Sequence, residues 1–141
     1  MAITARSLQN YQVEINAGNH VFIADEPLGI GDDAGPGPFQ LLLSALASCT
    51  IITVQMYAQR KEWPLESVEG TFDINSEQVV DEQGNKLRNS EFIYSLTFHG
   101  PLSEDQIKRL GEIAEHCPVH RALAGKVQFV SRITNMQERS V

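Results

Sequence analysis

Hydrophobic and polar positions divide the first half of the chain into segments with different periodicities. Residues 11–16 alternate between apolar and polar, and residues 20–24 follow after a short Gly-containing connection, which predicts a β-hairpin or meander. Residues 25–38 are rich in Gly and Pro and predict a loop. Residues 39–62 lack both breakers, and apolar residues are dense over residues 41–54, which predicts a long helix buried on nearly every side.

The second half of the chain begins with another pair of alternating segments. Residues 65–78 and 91–99 carry apolar side chains at alternate positions, which predicts antiparallel strands with one covered face. Between them, residues 81–89 are polar and turn-forming. They predict an exposed hairpin tip or an extension of the two strands.

Two helices and a strand are predicted for the last third of the chain. A Ser-x-x-Gln capping box at residues 103–106 opens a helix over residues 104–116. The Pro that directly follows Cys117 predicts a second, short helix over residues 118–124, with Cys117 as its N-cap. Residues 126–133 alternate again and predict a final strand.

The order of these elements indicates the fold class. Strand, strand, long helix, strand, strand, helix, short helix, strand is not the regular alternation of a parallel sheet, and it predicts one α+β domain over residues 1–141 with mostly antiparallel sheets. A helix that is apolar on every side needs cover on every side. One chain of 141 residues does not readily supply that cover, so we expect a dimer that shares its core.

Charge and composition exclude several functions. The chain has 11 basic and 18 acidic residues and a net charge of −7, which argues against binding to nucleic acid or to an anionic membrane surface. The apolar run over residues 41–54 is shorter than the roughly 20 residues that span a bilayer. Residues 1–10 lack the pattern of a secretory signal, so a cytoplasmic protein is expected.

The two cysteines, Cys49 and Cys117, are the main candidates for chemistry. They are too few for a disulfide scaffold. Taken alone, Cys49 fits an inert buried thiol in the middle of a helix, whereas an N-cap position would favour an activated thiolate at Cys117. If the fold brings the two sulfurs together, a cytoplasmic chain with such a pair is typical of a redox catalyst.

Zinc binding is the alternative reading of the same region. His116, Cys117 and His120 form a compact cluster, and a fourth ligand could come from Cys49, His99 or His20. Adjacent residues point in different directions on a capped backbone, and no paired Cys-x-x-Cys motif supports the site. The sequence therefore favours a site without metal.

Three sequence blocks resemble a known family. Residues 35–50 read GPGPFQLLLSALASCT, residues 56–65 read MYAQRKEWPL, and residues 113–123 read IAEHCPVHRAL. These blocks are similar to the hallmark motifs of the OsmC/Ohr family, which is named after osmotically inducible protein C. The wording of the second and third blocks is most similar to the YhfA-like OsmC-related branch.

This resemblance implies a fold and an activity. Curved, mostly antiparallel sheets would wrap the long central helices of an intertwined homodimer. The activity would be thiol-dependent reduction of organic hydroperoxides, with Cys49 as the peroxidatic and Cys117 as the resolving cysteine. An external dithiol, of the lipoyl type in the Ohr members, would restore the pair without a bound cofactor. The substrate pocket would include Phe39, Leu42 and Thr50.

The chain departs from the family at the group that activates the first thiol. The resemblance implies an arginine held by a glutamate, but Phe39 stands at the position of that glutamate. Arg6 is the candidate for the arginine. The departure favours a second hypothesis, in which the chain is a catalytically weak relative that senses redox state or binds a small ligand.

Overall fold

The computed structural model describes residues 1–136, which form two antiparallel sheets and three helices. The order confirms the predicted α+β class. The elements are β1 (Ile3–Ser7), β2 (Val13–Ala17), β3 (His20–Ala24), α1 (Pro38–Arg60), β4 (Ser67–Val80), β5 (Lys86–His99), α2 (Glu104–Ala114) and α3 (Pro118–Ala124).

The first sheet is a meander of β1, β2 and β3. The hairpin of β2 and β3 was predicted, but β1 was not. Its sequence, ITARS, has little apolar alternation, so the strand depends on pairing with β2 in the register from Ile3↔Ala17 to Ser7↔Val13. Asn10, in the left-handed region at φ 52°, turns the chain between the two strands.

The second sheet is the hairpin of β4 and β5. Both strands have 14 residues, so most of the segment between the two predicted strands extends them, which is one of the two alternatives predicted for it. The alternating apolar side chains share one half-buried face. Phe72 and Tyr94 lie opposite each other there and stack with 5.3 Å between ring centroids. The expectation of strands with one covered face is confirmed.

Helix α1 runs along the body of the chain and presents one buried stripe. Pro38 occupies its first turn, where its missing N–H removes no helical hydrogen bond. Its 23 residues extend about 34 Å at 1.5 Å per residue. The buried positions follow one another at every fourth residue: Leu46, Thr50, Val54 and Ala58.

The core forms where α2 and the second sheet cover this stripe. Val54 and Ala58 pack there against Leu110 and Ala114 of α2. Half-buried side chains from the sheet and the adjoining loops complete the cluster, among them Trp63, Leu65, Val68, Leu96, Phe98 and Leu102. The remaining faces of α1 are covered less, and Ile52 and Met56 are 52% and 65% exposed.

Helix α1 also meets the length and composition expected of a membrane-crossing helix. A window of 18 residues within it has a mean hydropathy of 1.7. A core helix of a soluble protein can meet the same criterion, and α2 and α3 pack against this one. The criterion alone is therefore weak support for a membrane span.

The prediction of a final strand over residues 126–133 is wrong for the residues that the structure describes. Residues 126–136 form neither strand nor helix, and Val127, Phe129 and Ile133 are exposed. An alternating pattern marks a face that a strand can bury, but a strand also requires a sheet edge to supply hydrogen bonds. Within residues 1–136 no edge binds this segment.

Asp25 organises the Gly- and Pro-rich loop that leads into α1. Its carboxylate is buried and accepts hydrogen bonds from the backbone N–H groups of Glu26, Asp32 and Ala34 at 2.7, 3.2 and 3.0 Å. These bonds, the one from Ala34 first, lower the pKa of Asp25 although burial opposes the shift. Gly35 is required beside them, because a Cβ there would overlap the Ile23 carbonyl oxygen.

The loop should therefore lose stability in acid through Asp25. A carboxylate whose pKa is lowered by folding contributes stability above its unfolded pKa of about 3.9, and this contribution is lost as the pH falls through the folded-state pKa. We expect Asp25→Asn to lower the Tm by several degrees at pH 7, and the difference from the parent protein to shrink towards zero in acid.

Thermal unfolding followed by circular dichroism between pH 7 and pH 2.5 measures this difference. Asp73→Asn is the matched control, because Asp73 is exposed and its Oδ1 accepts a hydrogen bond from the neighbouring Ile74 N–H. A Tm difference for Asp25→Asn that stays constant with pH would contradict the role assigned to the carboxylate.

Candidate functional site

Cys117 lies at the start of α3 and is completely buried, with 0% of its surface exposed. It is the N-cap of that helix, as predicted, and its Sγ accepts a hydrogen bond from the backbone N–H of His120 at 3.2 Å. A second donor is the Thr50 hydroxyl on α1, whose Oγ1 lies 3.7 Å from the same sulfur. The thiol is thus held between two helices by two donors.

Cys49 is half-buried in the middle of α1 and directly precedes Thr50. Because Thr50 contacts Cys117, the two cysteines lie near each other at the packing of α1 against α3. Successive helical residues are rotated by about 100°, so Cys49 flanks the contact that Thr50 makes. Both cysteines are free thiols in this structure.

Tyr94 of β5 lies in the neighbourhood of Cys117. Its pKa is raised, first by burial and then by electrostatic interaction with Glu115 and Cys117. Tyr94, Glu115 and His120 also line a cleft of about 680 Å³ between β5 and α2. The neighbourhood of Cys117 therefore contains a phenol that stays protonated at neutral pH.

Arg6 is held on the surface of the first sheet by a cross-strand carboxylate. Its Nε and Nη2 donate to the two oxygens of Glu14 at 2.9 and 3.1 Å. This bond is the main cause of the raised pKa of Arg6 and of the lowered pKa of Glu14, and Asn16 also donates to Glu14. The side-chain hydrogen bonds of Arg6 thus go to Glu14, a glutamate on the neighbouring strand rather than at position 39.

The expected pocket residues occupy different environments along α1. Phe39 is 50% exposed and borders a cleft of about 330 Å³ with Glu26 and Pro27. Leu42 is half-buried, and it lies two helical turns before Cys49 on nearly the same face. Thr50 is fully buried against Cys117. Their role in binding a substrate remains a prediction.

The zinc alternative finds no support in the arrangement of its residues. Among residues 1–136, no group of three or more His, Cys, Asp or Glu side chains is placed to hold a metal ion. The Nδ1 atom of His116 is bonded instead to the Glu112 carbonyl oxygen at 2.8 Å. The bond from His120 to Cys117 comes from the backbone N–H.

Sequence reasoning missed two contacts of the candidate site. The bond between Thr50 and Cys117 joins residues 67 positions apart, so local patterns carry no signal for it. The bond between Arg6 and Glu14 could have been found if β1 had been recognised, because an antiparallel hairpin pairs those positions directly.

Comparison with known proteins identifies the family. Residues 31–132 match the family model for OsmC-like proteins. The chain therefore belongs to the OsmC-like protein family, as the sequence blocks implied. No curated protein sequence matches the chain.

Solved structures agree with this assignment. An OsmC-like protein from Mycoplasma pneumoniae superposes with a TM-score of 0.68 and 24% identity, over 88% of this chain and 86% of that one. An organic hydroperoxide resistance protein OsmC from Legionella pneumophila superposes with a TM-score of 0.66 and 24% identity, over 88% of each chain. An organic hydroperoxide resistance protein from Elizabethkingia anophelis superposes with a TM-score of 0.62 and 20% identity, over 87% of this chain and 86% of that one. At these identities the likeness establishes the fold.

The different burial of the two cysteines predicts different rates of thiol alkylation. We expect Cys49 to react with iodoacetamide in the native protein, and Cys117 to react about tenfold more slowly or worse, because a buried thiol reacts only when the structure opens. Mass spectrometry of Cys49→Ser and Cys117→Ser variants assigns each rate. Equal rates in the native protein, or a faster Cys117, would contradict the burial described above.

Proposed function

We propose that the chain is a thiol-dependent peroxidase that reduces organic hydroperoxides through Cys49 and Cys117. The observation that supports this most is the buried Cys117 sulfur, hydrogen-bonded to the residue next to Cys49. Similarity to hydroperoxide resistance proteins of the same family adds support. The chemistry uses two free thiols and needs no bound cofactor.

The proposed reaction has three steps. The Cys49 thiolate attacks the hydroperoxide, so that an S–O bond forms, the O–O bond breaks, and the leaving alkoxide takes up a proton to become an alcohol. The Cys117 sulfur then attacks the Cys49 sulfenic acid, which forms an S–S bond and releases hydroxide. That hydroxide takes the thiol proton and leaves as water. An external dithiol, of the lipoyl type in our proposal, reduces the disulfide by exchange.

Arg6 is the proposed activating cation in this cycle. The family resemblance calls for an arginine held by a glutamate, and Phe39 removes the expected glutamate. Glu14 provides a carboxylate for Arg6 from the neighbouring strand instead. Arg6 is exposed on the first sheet and Glu14 is partly buried, so action of Arg6 on Cys49 requires a further surface that brings Arg6 and Cys49 together.

A homodimer would provide such a surface, and we propose one for this chain. Side chains at α1 and beyond α3 that are at least half-exposed include Phe39, Ile52, Met56, Phe129 and Ile133. Full burial of a side chain of this size contributes about 1.5–3 kcal/mol. The burial free energy that several uncovered side chains do not contribute is large beside a typical folding free energy of about 5–15 kcal/mol. A second copy of the chain would cover these side chains.

We also propose a cytoplasmic location, where the reducing environment would keep both thiols reduced.

A second candidate function is a redox sensor or small-ligand-binding protein without turnover. Phe39 at the glutamate position favours it, since a phenyl ring there has neither a negative charge nor an oxygen to accept hydrogen bonds from an arginine. Such a protein would undergo oxidation of Cys49 and Cys117 once, without an efficient return to the dithiol. The two functions differ in turnover.

Reaction with cumene hydroperoxide tests the first function. We expect one equivalent to oxidise both thiols, and catalytic amounts of protein to consume excess hydroperoxide with dihydrolipoamide as reductant. Cys49→Ser should abolish consumption, because the attacking sulfur is gone. Cys117→Ser should still form a sulfenic acid at Cys49, trapped with dimedone, but no intramolecular disulfide.

Three outcomes separate the candidates. Steady turnover that requires Cys49 supports the peroxidase. Stoichiometric oxidation without turnover leaves only the sensor or binding protein. Both thiols intact after hydroperoxide treatment, while a known thiol peroxidase is oxidised under the same conditions, would rule out the peroxidase.

Light scattering after size-exclusion chromatography tests the dimer. We expect a mass of twice the 15.7 kDa chain. Ile52→Glu should shift it towards the monomer, because it places a charge on the exposed apolar face of α1. Gln83→Glu is the control, at an exposed polar position in the turn between β4 and β5. A monomeric parent protein, or a dimer unaffected by Ile52→Glu, would contradict this arrangement.

A further inference from the structure

Thr50 is a buried polar residue in the middle of an apolar helix. None of its surface is exposed, and it belongs to the stripe of α1 that otherwise carries Leu46, Val54 and Ala58. A buried hydroxyl requires a hydrogen-bond partner. Within a helix, threonine commonly bonds back to a carbonyl of its own preceding turn. Here the hydroxyl donates instead to another helix, where Cys117 Sγ lies 3.7 Å away.

The Cys117 sulfur has a second donor on its own helix. The backbone N–H of His120 lies 3.2 Å from it and fixes the sulfur relative to α3. The bond from Thr50 fixes the same sulfur relative to α1. One donor therefore comes from each helix, and together they determine where the sulfur lies with respect to the residue that precedes Thr50, which is Cys49.

We propose that Thr50 is a positioning residue for the resolving step, in which it holds Cys117 Sγ beside the Cys49 segment of α1. This inference rests on the proposed peroxidase function. In that step the Cys117 sulfur forms an S–S bond with Cys49, the S–O bond of the sulfenic acid breaks, and the thiol proton leaves with the hydroxide as water. Thr50 enters none of these bonds.

The physical effect is pre-organisation. Attack of one sulfur on another requires a defined direction of approach. Groups that the structure already holds in that geometry react much faster than groups that must first adopt it. Burial of Cys117 also protects its sulfur from external thiols and oxidants. The bond from Thr50 holds the sulfur in this buried position, where it can react with Cys49 rather than with those external reagents.

Single-turnover kinetics test this role. One equivalent of cumene hydroperoxide is mixed with the reduced full chain, and samples are quenched with dimedone. Mass spectrometry follows the sulfenic acid and the disulfide. We expect Thr50→Val to lower the ratio of the rate constant for disulfide formation to that for sulfenic acid formation by about tenfold, as for one lost hydrogen bond. Trapped sulfenic acid should accumulate.

Thr50→Ser is the conservative variant, since it retains the hydroxyl. We expect its ratio to stay within about threefold of the parent protein, because only a methyl group is lost. Thr50→Ala is a second variant without the hydroxyl, and it replaces Thr50→Val if the valine protein does not fold. Iodoacetamide labelling of Cys117 provides a readout without peroxide, and should be faster without the hydroxyl than in Thr50→Ser.

Each outcome bears on one of the two proposals. If the parent protein forms a disulfide and Thr50→Val or Thr50→Ala forms it with an unchanged ratio, the positioning role is overturned and the peroxidase proposal stands. If Thr50→Ser is as slow as these variants, the hydroxyl is not responsible and the role is again overturned. If the parent protein keeps both thiols, the peroxidase proposal fails, and the positioning role fails with it.

Discussion

The constraint on which this structure depends is the covering of α1. The helix is apolar on nearly every side, but the chain covers only the stripe through Leu46, Val54 and Ala58 completely. Helix α2, helix α3 and the second sheet are arranged around that stripe. The rest of the helix remains partly exposed, and this incomplete cover is the main physical reason to propose a second copy of the chain.

The candidate site is a consequence of the same packing. Thr50 is the polar member of the buried stripe, and its hydroxyl needs a partner where no water can reach it. The partner is Cys117, which the N-cap position of α3 turns towards α1. The apolar packing that stabilises the fold thus also brings the two cysteines near each other, and a polar contact defines the sulfur's position within it.

Sequence patterns predicted the parts of the fold that have local causes. The long run without Gly or Pro predicted α1, the capping box predicted α2, and Pro118 predicted both α3 and the N-cap role of Cys117. Strand β1 was missed because its stability comes from pairing with β2 rather than from its own residues. Residues 126–133 were predicted to be a strand because alternation reports a potential to pair, whereas pairing needs an edge.

By itself, the sequence determined the family, the α+β class and the two cysteines as the centre of any chemistry, because motifs, periodicity and helix signals are local properties of the chain. Only the tertiary structure decided that the Thr50 hydroxyl bonds Cys117, and Arg6 and Glu14, eight positions apart, meet only because β1 pairs with β2. Thr50 and Cys117 are 67 positions apart in the chain. The distance between them depends on how α1 and α3 pack, which no local pattern of residues encodes.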